Sequence, residues 1–168
     1  MSVSLVHLLE QGPVIAALLK IAARAAGGAR SQGAASGELG PVVTQTVPPR
    51  KPRLVADYVR NVGGTPGTYR RVLPPHLFPQ WGFPLMSSTL AGLPYDIGRI
   101  LNVGCTIEFA HAIPANEPLD LEARLVSIDD DGRRALVTQE LVTGTARRPR
   151  ALVCRVGCSN GACVYCRS

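Results

Sequence analysis

The sequence contains few aromatic residues and no uninterrupted hydrophobic run long enough to cross a membrane. Aromatic side chains make up 5% of its 168 residues. The most apolar stretch, residues 4–26, is interrupted by Glu10, Pro13 and Lys20, which excludes a membrane span. It also lacks the basic start and small-residue cleavage pattern of a secretory signal. We therefore expect a cytoplasmic protein, in which structural disulfide bonds are disfavoured.

The chain is also poor in residues suited to acid–base catalysis. It holds three histidines, His7, His76 and His111, and none of them follows an aspartate by five residues. The one cluster of aspartates, residues 129–131, lies in a predicted turn with no histidine after it. Strand alternation places His111 on an apolar face, which favours a core or interface position. The sequence therefore predicts no catalytic residue.

The most informative stretch runs from Pro74 to Tyr95. Prolines fix φ and remove backbone donors, so a helix can begin at Pro79 but cannot easily run through Pro74 and Pro75. Such a helix has little polar surface, and an all-round apolar helix must be covered on most sides. Its apolar or weakly polar positions are Trp81, Phe83, Leu85, Met86, Thr89, Leu90 and Leu93.

Strand-like patterns follow this helix and can provide the cover. Apolar residues occupy positions 103, 105, 107, 109 and 113, and apolar residues alternate cleanly with charged ones in residues 119–125. A polar turn at residues 129–132 ends in glycine, and the apolar pattern resumes in residues 133–143, which predicts a hairpin. Residues 151–156 can add one more strand. We therefore predict an α+β fold with a curved antiparallel sheet around one buried helix.

The chain divides into four predicted segments. Residues 1–26 form an amphipathic helix that packs on the domain or on its partner, with a membrane-surface helix as the alternative. Residues 27–40 are a flexible linker rich in Gly, Ala and Ser. Residues 41–157 form the single domain, and residues 158–168 a cysteine-containing tail.

Three runs of the domain resemble a known family. They are LPPHLFPQWGFPL, LPYDIGRILNVGCTIEF and IPANEPLDLEARLVSID, the last followed by a polar turn. Together they resemble the first hot-dog domain of two-domain MaoC-like acyl dehydratases, over roughly residues 40 to 157. The resemblance implies a hot-dog fold, in which a curved antiparallel sheet wraps a central helix. It also implies a role in fatty acid metabolism.

The departure from that family bears on function. Its catalytic half carries a Gly-Asp-x-Asn-Pro-x-His sequence, which this chain lacks. The resemblance therefore implies the non-catalytic half, which helps to bind the acyl chain of a thioester on coenzyme A or an acyl carrier protein. Such a half pairs with a catalytic hot-dog half, or with a second copy as a homodimer. We expect the chain alone to be inactive and to need no cofactor.

The same resemblance points to candidate acyl-binding residues. In a hot-dog fold the face of the central helix can line the acyl pocket, which makes Trp81, Phe83 and Met86 candidates. Tyr58 and Tyr95 can donate hydrogen bonds there. For Trp81 and Met86 the pattern favours a core position over ligand binding.

The excess of positive charge allows two further interpretations. The net charge is +6, and the basic residues are scattered or paired at 70–71, 133–134 and 147–150. Solvated turns explain this pattern, and the charges can also attract the phosphates of coenzyme A or an acidic carrier protein. A basic nucleic-acid-binding module is an alternative. However, such surfaces usually interleave aromatic residues with the basic ones, and we expect no nucleic acid partner.

Four cysteines near the C-terminus suggest a rival function. Their C-x3-C-x4-C-x2-C spacing is compatible with a small zinc-binding or redox protein. Alternation instead directs the first of them into the core, and we predict no metal site. The sequence leaves the family pattern at Gly157, as it would after a truncation or a frameshift. The four residues are Cys154, Cys158, Cys163 and Cys166.

Overall fold

The computed structural model describes residues 12–26, 39–91, 93–95 and 100–160. Three α-helices and five β-strands lie in these ranges, together with two short 3-10 turns. The helices are α1 (Gly12–Ala26), α2 (Pro52–Asn61) and α3 (Pro79–Thr89). The strands are β1 (Val43–Val47), β2 (Ile100–Phe109), β3 (Leu119–Asp130), β4 (Ala135–Thr145) and β5 (Arg148–Asn160). The 3-10 turns span Pro66–Tyr69 and Pro75–Leu77.

All five strands form one antiparallel sheet in the order β1-β3-β4-β5-β2. The predicted hairpin is confirmed as β3 and β4. Its turn is held by Asp131, whose carboxylate accepts hydrogen bonds from the backbone N–H groups of Arg133 at 2.9 Å and Arg134 at 2.7 Å. Gly132 provides the positive φ of 77° that the turn requires. The alternation in residues 119–125 is likewise confirmed by the buried odd positions of β3.

Helix α3 packs on the inner face of the sheet and begins at Pro79, as predicted. Trp81 is buried against β4, and its indole N–H donates a hydrogen bond to the Thr143 hydroxyl at 3.2 Å. Gly82 permits the close approach, because a Cβ there would lie 2.2 Å from the Leu141 Cδ2 atom. The α+β architecture predicted from the sequence is therefore confirmed.

The buried polar side chain of Gln139, which lies beneath α3, also has hydrogen-bond partners. Gln139 of β4 is buried, and its side-chain amide donates to the Met86 carbonyl oxygen at 2.7 Å and to the Thr89 hydroxyl at 2.5 Å. These bonds tie the last turns of α3 to the middle of the sheet, since an unsatisfied buried amide would be costly.

The exposure of β2 differs from what the sequence predicts. Its alternation predicted a half-buried strand, but β2 lies at an edge of the sheet and is exposed along its length. A bulge between Asn102 and Gly104 also breaks the phase, so Val103 does not share a face with Cys105. His111 lies beyond the strand end and is exposed, so of its two predicted positions, core or interface, the core position is wrong.

The ends of the chain are described in part. Helix α1 is seen from Gly12 onward, and residues 1–11 and most of the predicted linker, 27–38, lie outside the described residues. At the other end, β5 continues to Asn160, which is three residues beyond the domain end that the sequence predicts at residue 157. Cys158, which the sequence assigns to the tail, is buried in this strand. No helix within the described ranges is long and apolar enough to cross a membrane.

Candidate functional site on an uncovered edge strand

Strand β2 carries several large apolar side chains that are exposed to solvent. All its residues from Leu101 onward are exposed. Four large apolar side chains stand out, with exposed fractions of 51% for Leu101, 56% for Val103, 38% for Ile107 and 51% for Phe109. Exposed rows of this kind mark interaction sites, because water contact with apolar surface is unfavourable.

The position of α3 explains why β2 is uncovered. The helix packs over β1, β3 and β4, which form the opposite half of the sheet. On β2, Ile107 pairs with Cys154 of β5 and Phe109 pairs with Leu152. The β5 members of these pairs are fully buried, whereas the β2 members are exposed. The apolar inner face therefore runs past the helix and ends on β2 without cover.

The two edges of the sheet differ in how they are protected. Strand β1 is five residues long, has a polar centre, and is followed by Pro48 and Pro49, which cannot donate ladder hydrogen bonds. Strand β2 is ten residues long and contains no proline or lysine. Its one charged residue, Glu108, is already paired with Arg155 of β5. A short length and the prolines that follow it thus protect β1, whereas β2 opposes edge-to-edge pairing with its bulge and the charge of Glu108.

A row of alternating charges anchors β2 to the outer face of the sheet. Glu140 of β4 is 3% exposed and accepts hydrogen bonds from Arg124 of β3, at 3.0 and 2.6 Å, and from Arg155, at 2.9 Å. Arg155 also reaches Glu108. Burial alone raises the pKa of Glu140, but the hydrogen bonds and charges of the two arginines outweigh it and hold that pKa below its ordinary value.

Solved structures with this architecture share little sequence identity with this chain. The HadBC 3R-hydroxyacyl-ACP dehydratase complex from Mycobacterium tuberculosis has a TM-score of 0.61 at 12% identity, over 74% of this chain and 98% of that one. The ChsH1–ChsH2 complex from the same organism has a TM-score of 0.54 at 11% identity, over 88% and 92% of the two chains. The chain has a hot-dog fold. The fold that the sequence resemblance implied is therefore confirmed.

Another similar structure is longer than this hot-dog domain. HtdX from Mycobacterium tuberculosis has a TM-score of 0.59 at 19% identity, over 69% of this chain. This chain spans 50% of the HtdX chain. No family model matches the sequence, and no curated protein matches it.

Among the predicted acyl-binding residues, Trp81 and Met86 belong to the main core cluster and Tyr58 packs against it, whereas Tyr95 packs against a separate, smaller cluster. Trp81 and Met86 are buried on the side of α3 that faces the sheet, whereas Phe83 is half-buried. Tyr58 of α2 donates a hydrogen bond to the His76 carbonyl oxygen at 3.2 Å.

Tyr95 lies apart from the others, at the β3–β4 hairpin. Its hydroxyl donates a hydrogen bond to the Asp130 carboxylate at 2.8 Å. Burial, together with the hydrogen bond and charge of Asp130, raises the pKa of Tyr95 to about 12. At neutral pH this hydroxyl is therefore a donor already in use.

The two described histidines are not arranged for acid–base chemistry. His76 is exposed, and its ring lies 5.4 Å from the Tyr58 ring and 6.4 Å from the Tyr69 ring. Among the described residues, neither His76 nor His111 forms an ion pair with a carboxylate. This hot-dog domain thus offers no oriented histidine–carboxylate pair in its described part.

The cysteines within the described part serve as core residues or lie at the edge. Cys154 and Cys158 are buried in β5, and Cys105 is exposed on β2. Burial, and to a lesser degree the nearby Cys105, raises the pKa of the Cys154 thiol to about 12, so the thiolate that binds zinc is strongly disfavoured. No group of three or more potential metal ligands occurs among the described residues. Cys163 and Cys166 lie outside them.

Sequence reasoning identified the strand that carries this site but missed its exposure. Alternation reports which residues share a face, and it does not tell an interior strand from an edge strand. A signal was present nonetheless. The run from Leu101 to Phe109 is longer and more apolar than the run that forms β1, and no proline directly follows it, whereas Pro48 and Pro49 follow β1.

Proposed function

We propose that this chain is a hot-dog half that pairs with a second hot-dog domain along β2 and helps to bind an acyl thioester, without performing the chemistry itself. The observation that carries the proposal is the exposed, ten-residue and largely apolar edge of β2. An edge of this length and composition pairs with another strand or aggregates. The partner is a catalytic hot-dog half or a second copy of this chain.

Two of the similar structures support a hot-dog partner. HadBC and ChsH1–ChsH2 are both named as complexes. A second copy is also compatible with the charges on β2. In antiparallel pairing centred on Thr106, the Glu108 of each strand lies opposite Gly104 of the other, so like charges do not meet.

The acyl chain would lie where the partner closes over the open inner face. Cys105, Ile107 and Phe109 provide apolar surface there. Among the five predicted acyl contacts, Tyr58, Phe83 and Tyr95 have partly accessible side chains. Trp81 and Met86 would support the surface from the core side. We thus propose direct contact with the acyl chain for the first three residues and a supporting role for the last two.

The paired state is tested by placing a charge on the edge. Ile107→Lys introduces a lysine that must be desolvated if β2 pairs with another strand. Ile128→Lys is the matched control, because Ile128 of β3 is exposed to the same extent, 37% against 38%, but lies away from β2. We expect wild type and Ile128→Lys to sediment as dimers and Ile107→Lys as a monomer with an unchanged circular dichroism spectrum. A monodisperse wild-type monomer that also fails to capture a co-expressed MaoC-like catalytic half would refute the pairing.

The acyl-binding role is tested with a thioester. Isothermal titration of dodecanoyl-CoA should give saturable binding to the wild-type assembly and strongly reduced binding to the Ile107→Lys monomer. Equal binding to both would separate acyl recognition from β2 and contradict the proposal. In the same preparations we expect no hydration of crotonyl-CoA, and turnover abolished by His76→Ala or His111→Ala would contradict the non-catalytic role.

A further inference from the structure

A cavity lies beside β1, at the opposite edge of the sheet from β2. It has a volume of about 410 Å³ and is lined by residues of β1, the start of α2, the first turns of α3 and Pro13 of α1. Sites of this size accept small molecules. One wall is apolar and is formed by Val47, Leu54, Trp81 and Pro84.

The opposite wall holds a cation that is fixed in place. Arg50 donates hydrogen bonds from Nε at 3.1 Å and from Nη2 to the Pro48 carbonyl oxygen, and from Nη1 at 3.0 Å to the Gln80 Oε1 atom. These three bonds use three of the five N–H donors of the guanidinium group. One donor on each terminal nitrogen is left for a ligand.

Within the described part of the chain, no carboxylate balances the charge of Arg50. Among the described residues Arg50 forms no ion pair, and the residues that line the cavity include Arg50 and Lys51 but no acidic side chain. Burial lowers the pKa of Arg50, which shows that its guanidinium has lost part of its hydration. A partly desolvated cation without a counter-charge gains free energy when an anion binds.

We propose that this cavity binds a carboxylic acid with an apolar chain. The carboxylate accepts the remaining N–H groups of Arg50, and the chain lies against Trp81 and Leu54. A carboxylate suits this wall, because its two oxygens can accept from both terminal nitrogens of one guanidinium group. The apolar wall favours a ligand with a hydrocarbon body over a free inorganic anion. The site lies beside β1, at the opposite edge of the sheet from β2, and shares Trp81 with the residues proposed to support thioester binding.

The chain contains its own reporter for this site. Trp81 is the only tryptophan of the sequence, and its ring lines the cavity. We expect octanoate to shift the tryptophan fluorescence in a saturable manner, and 1-octanol, which has the same chain length without the charge, to bind about tenfold more weakly. Inorganic phosphate should not compete at matching concentrations.

Three variants separate the contributions. Arg50→Gln should weaken octanoate about tenfold and leave octanol unchanged, because only the charge-assisted bonds are lost. Gln45→Phe, on the exposed strand β1, should fill the cavity and abolish both signals, which keeps the test valid if Arg50→Gln folds poorly. Arg53→Gln removes an exposed charge of α2 outside the cavity and should leave both affinities unchanged.

The contrary results are equally defined. Absence of a saturable response, equal octanoate affinity in wild type and Arg50→Gln, or displacement of octanoate by phosphate would each overturn the proposal. Retained octanoate binding in a folded Gln45→Phe variant would also overturn it, because the ligand would then lie elsewhere.

Discussion

Replacement of Glu140 by glutamine should measure how strongly the outer-face charges hold the sheet together. The variant keeps the size of the side chain and removes its charge. Glu140 is 3% exposed, and its carboxylate accepts hydrogen bonds from Arg124 and Arg155. In the variant, the amide nitrogen replaces one of the acceptor oxygens and faces an arginine donor. One of the two hydrogen-bonded contacts, to β3 or to β5, is therefore lost, and the other loses its charge assistance.

The magnitude follows from the exposure of the partners. Breaking a buried ion pair costs about 3–5 kcal/mol when the remaining charge cannot reach water. The side chains of Arg124 and Arg155 are 47% and 42% exposed, so both can turn toward solvent. The loss should then be closer to that of one hydrogen bond to a charged group, about 2 kcal/mol. In urea this corresponds to a midpoint lower by about 1 M.

The pH dependence distinguishes a charge effect from a packing effect. The pKa of Glu140 in the folded protein lies below its ordinary value of 4.5. Its contribution to stability is therefore fully present above that ordinary value and is lost as the pH falls through the lower folded-state pKa. The difference between wild type and Glu140→Gln should shrink over this range, because the wild-type carboxylate becomes neutral as well.

The assay is urea unfolding followed by circular dichroism at neutral pH and at successively lower pH. Glu122→Gln is the control. Glu122 lies on β3, on the same outer face of the sheet as Glu140, and forms no ion pair among the described residues. A loss below about 0.5 kcal/mol for Glu140→Gln at neutral pH, the level of an ordinary surface change, would refute the reasoning. So would a loss that does not change as the pH is lowered.

Two further predictions concern close packing and a perturbed tyrosine. Gly144→Ala should destabilise by about 1–3 kcal/mol in urea unfolding, because its Cβ would lie 2.3 Å from the Pro149 carbonyl oxygen, whereas Gly67→Ala, with no atom within 4 Å, should be close to neutral; equal stabilities would contradict this. In a spectrophotometric titration Tyr95 should ionise at about pH 12, and Asp130→Asn should lower that value without restoring the ordinary 10.0, because burial contributes as well. An unchanged Tyr95 titration in Asp130→Asn would contradict the assignment.

The local elements of this fold could be predicted from the sequence. The start of α3 follows from the missing N–H and fixed φ of Pro79, and the β3–β4 hairpin from a polar turn that ends in Gly132. The overall fold followed from a resemblance spread over three runs of residues rather than from one motif. The start of α3 and the β3–β4 hairpin depend on neighbours in the chain, which a single sequence records directly.

The arrangement of the strands could not be predicted in the same way. Whether β2 is an edge or an interior strand depends on pairing between residues far apart in the chain, such as Phe109 with Leu152. The cavity beside Arg50 likewise combines β1, α2 and α3, and nothing in the local pattern at residues 48–51 indicates it. The family resemblance groups Tyr58, Trp81 and Tyr95. In the structure their side chains donate hydrogen bonds to three different elements, at His76, Thr143 and Asp130.

Hydrogen–deuterium exchange at rising protein concentration tests most directly the claim that β2 pairs with a second hot-dog domain. We expect the amides of residues 101–109 to exchange more slowly at high than at low micromolar concentration, because a partner strand would occupy the N–H groups that β5 leaves open. Residues 44–46 of β1, the protected edge, should exchange at the same rate at both concentrations. If the amides of β2 exchange at a rate independent of concentration, and adding a MaoC-like catalytic half does not slow them, the account is contradicted.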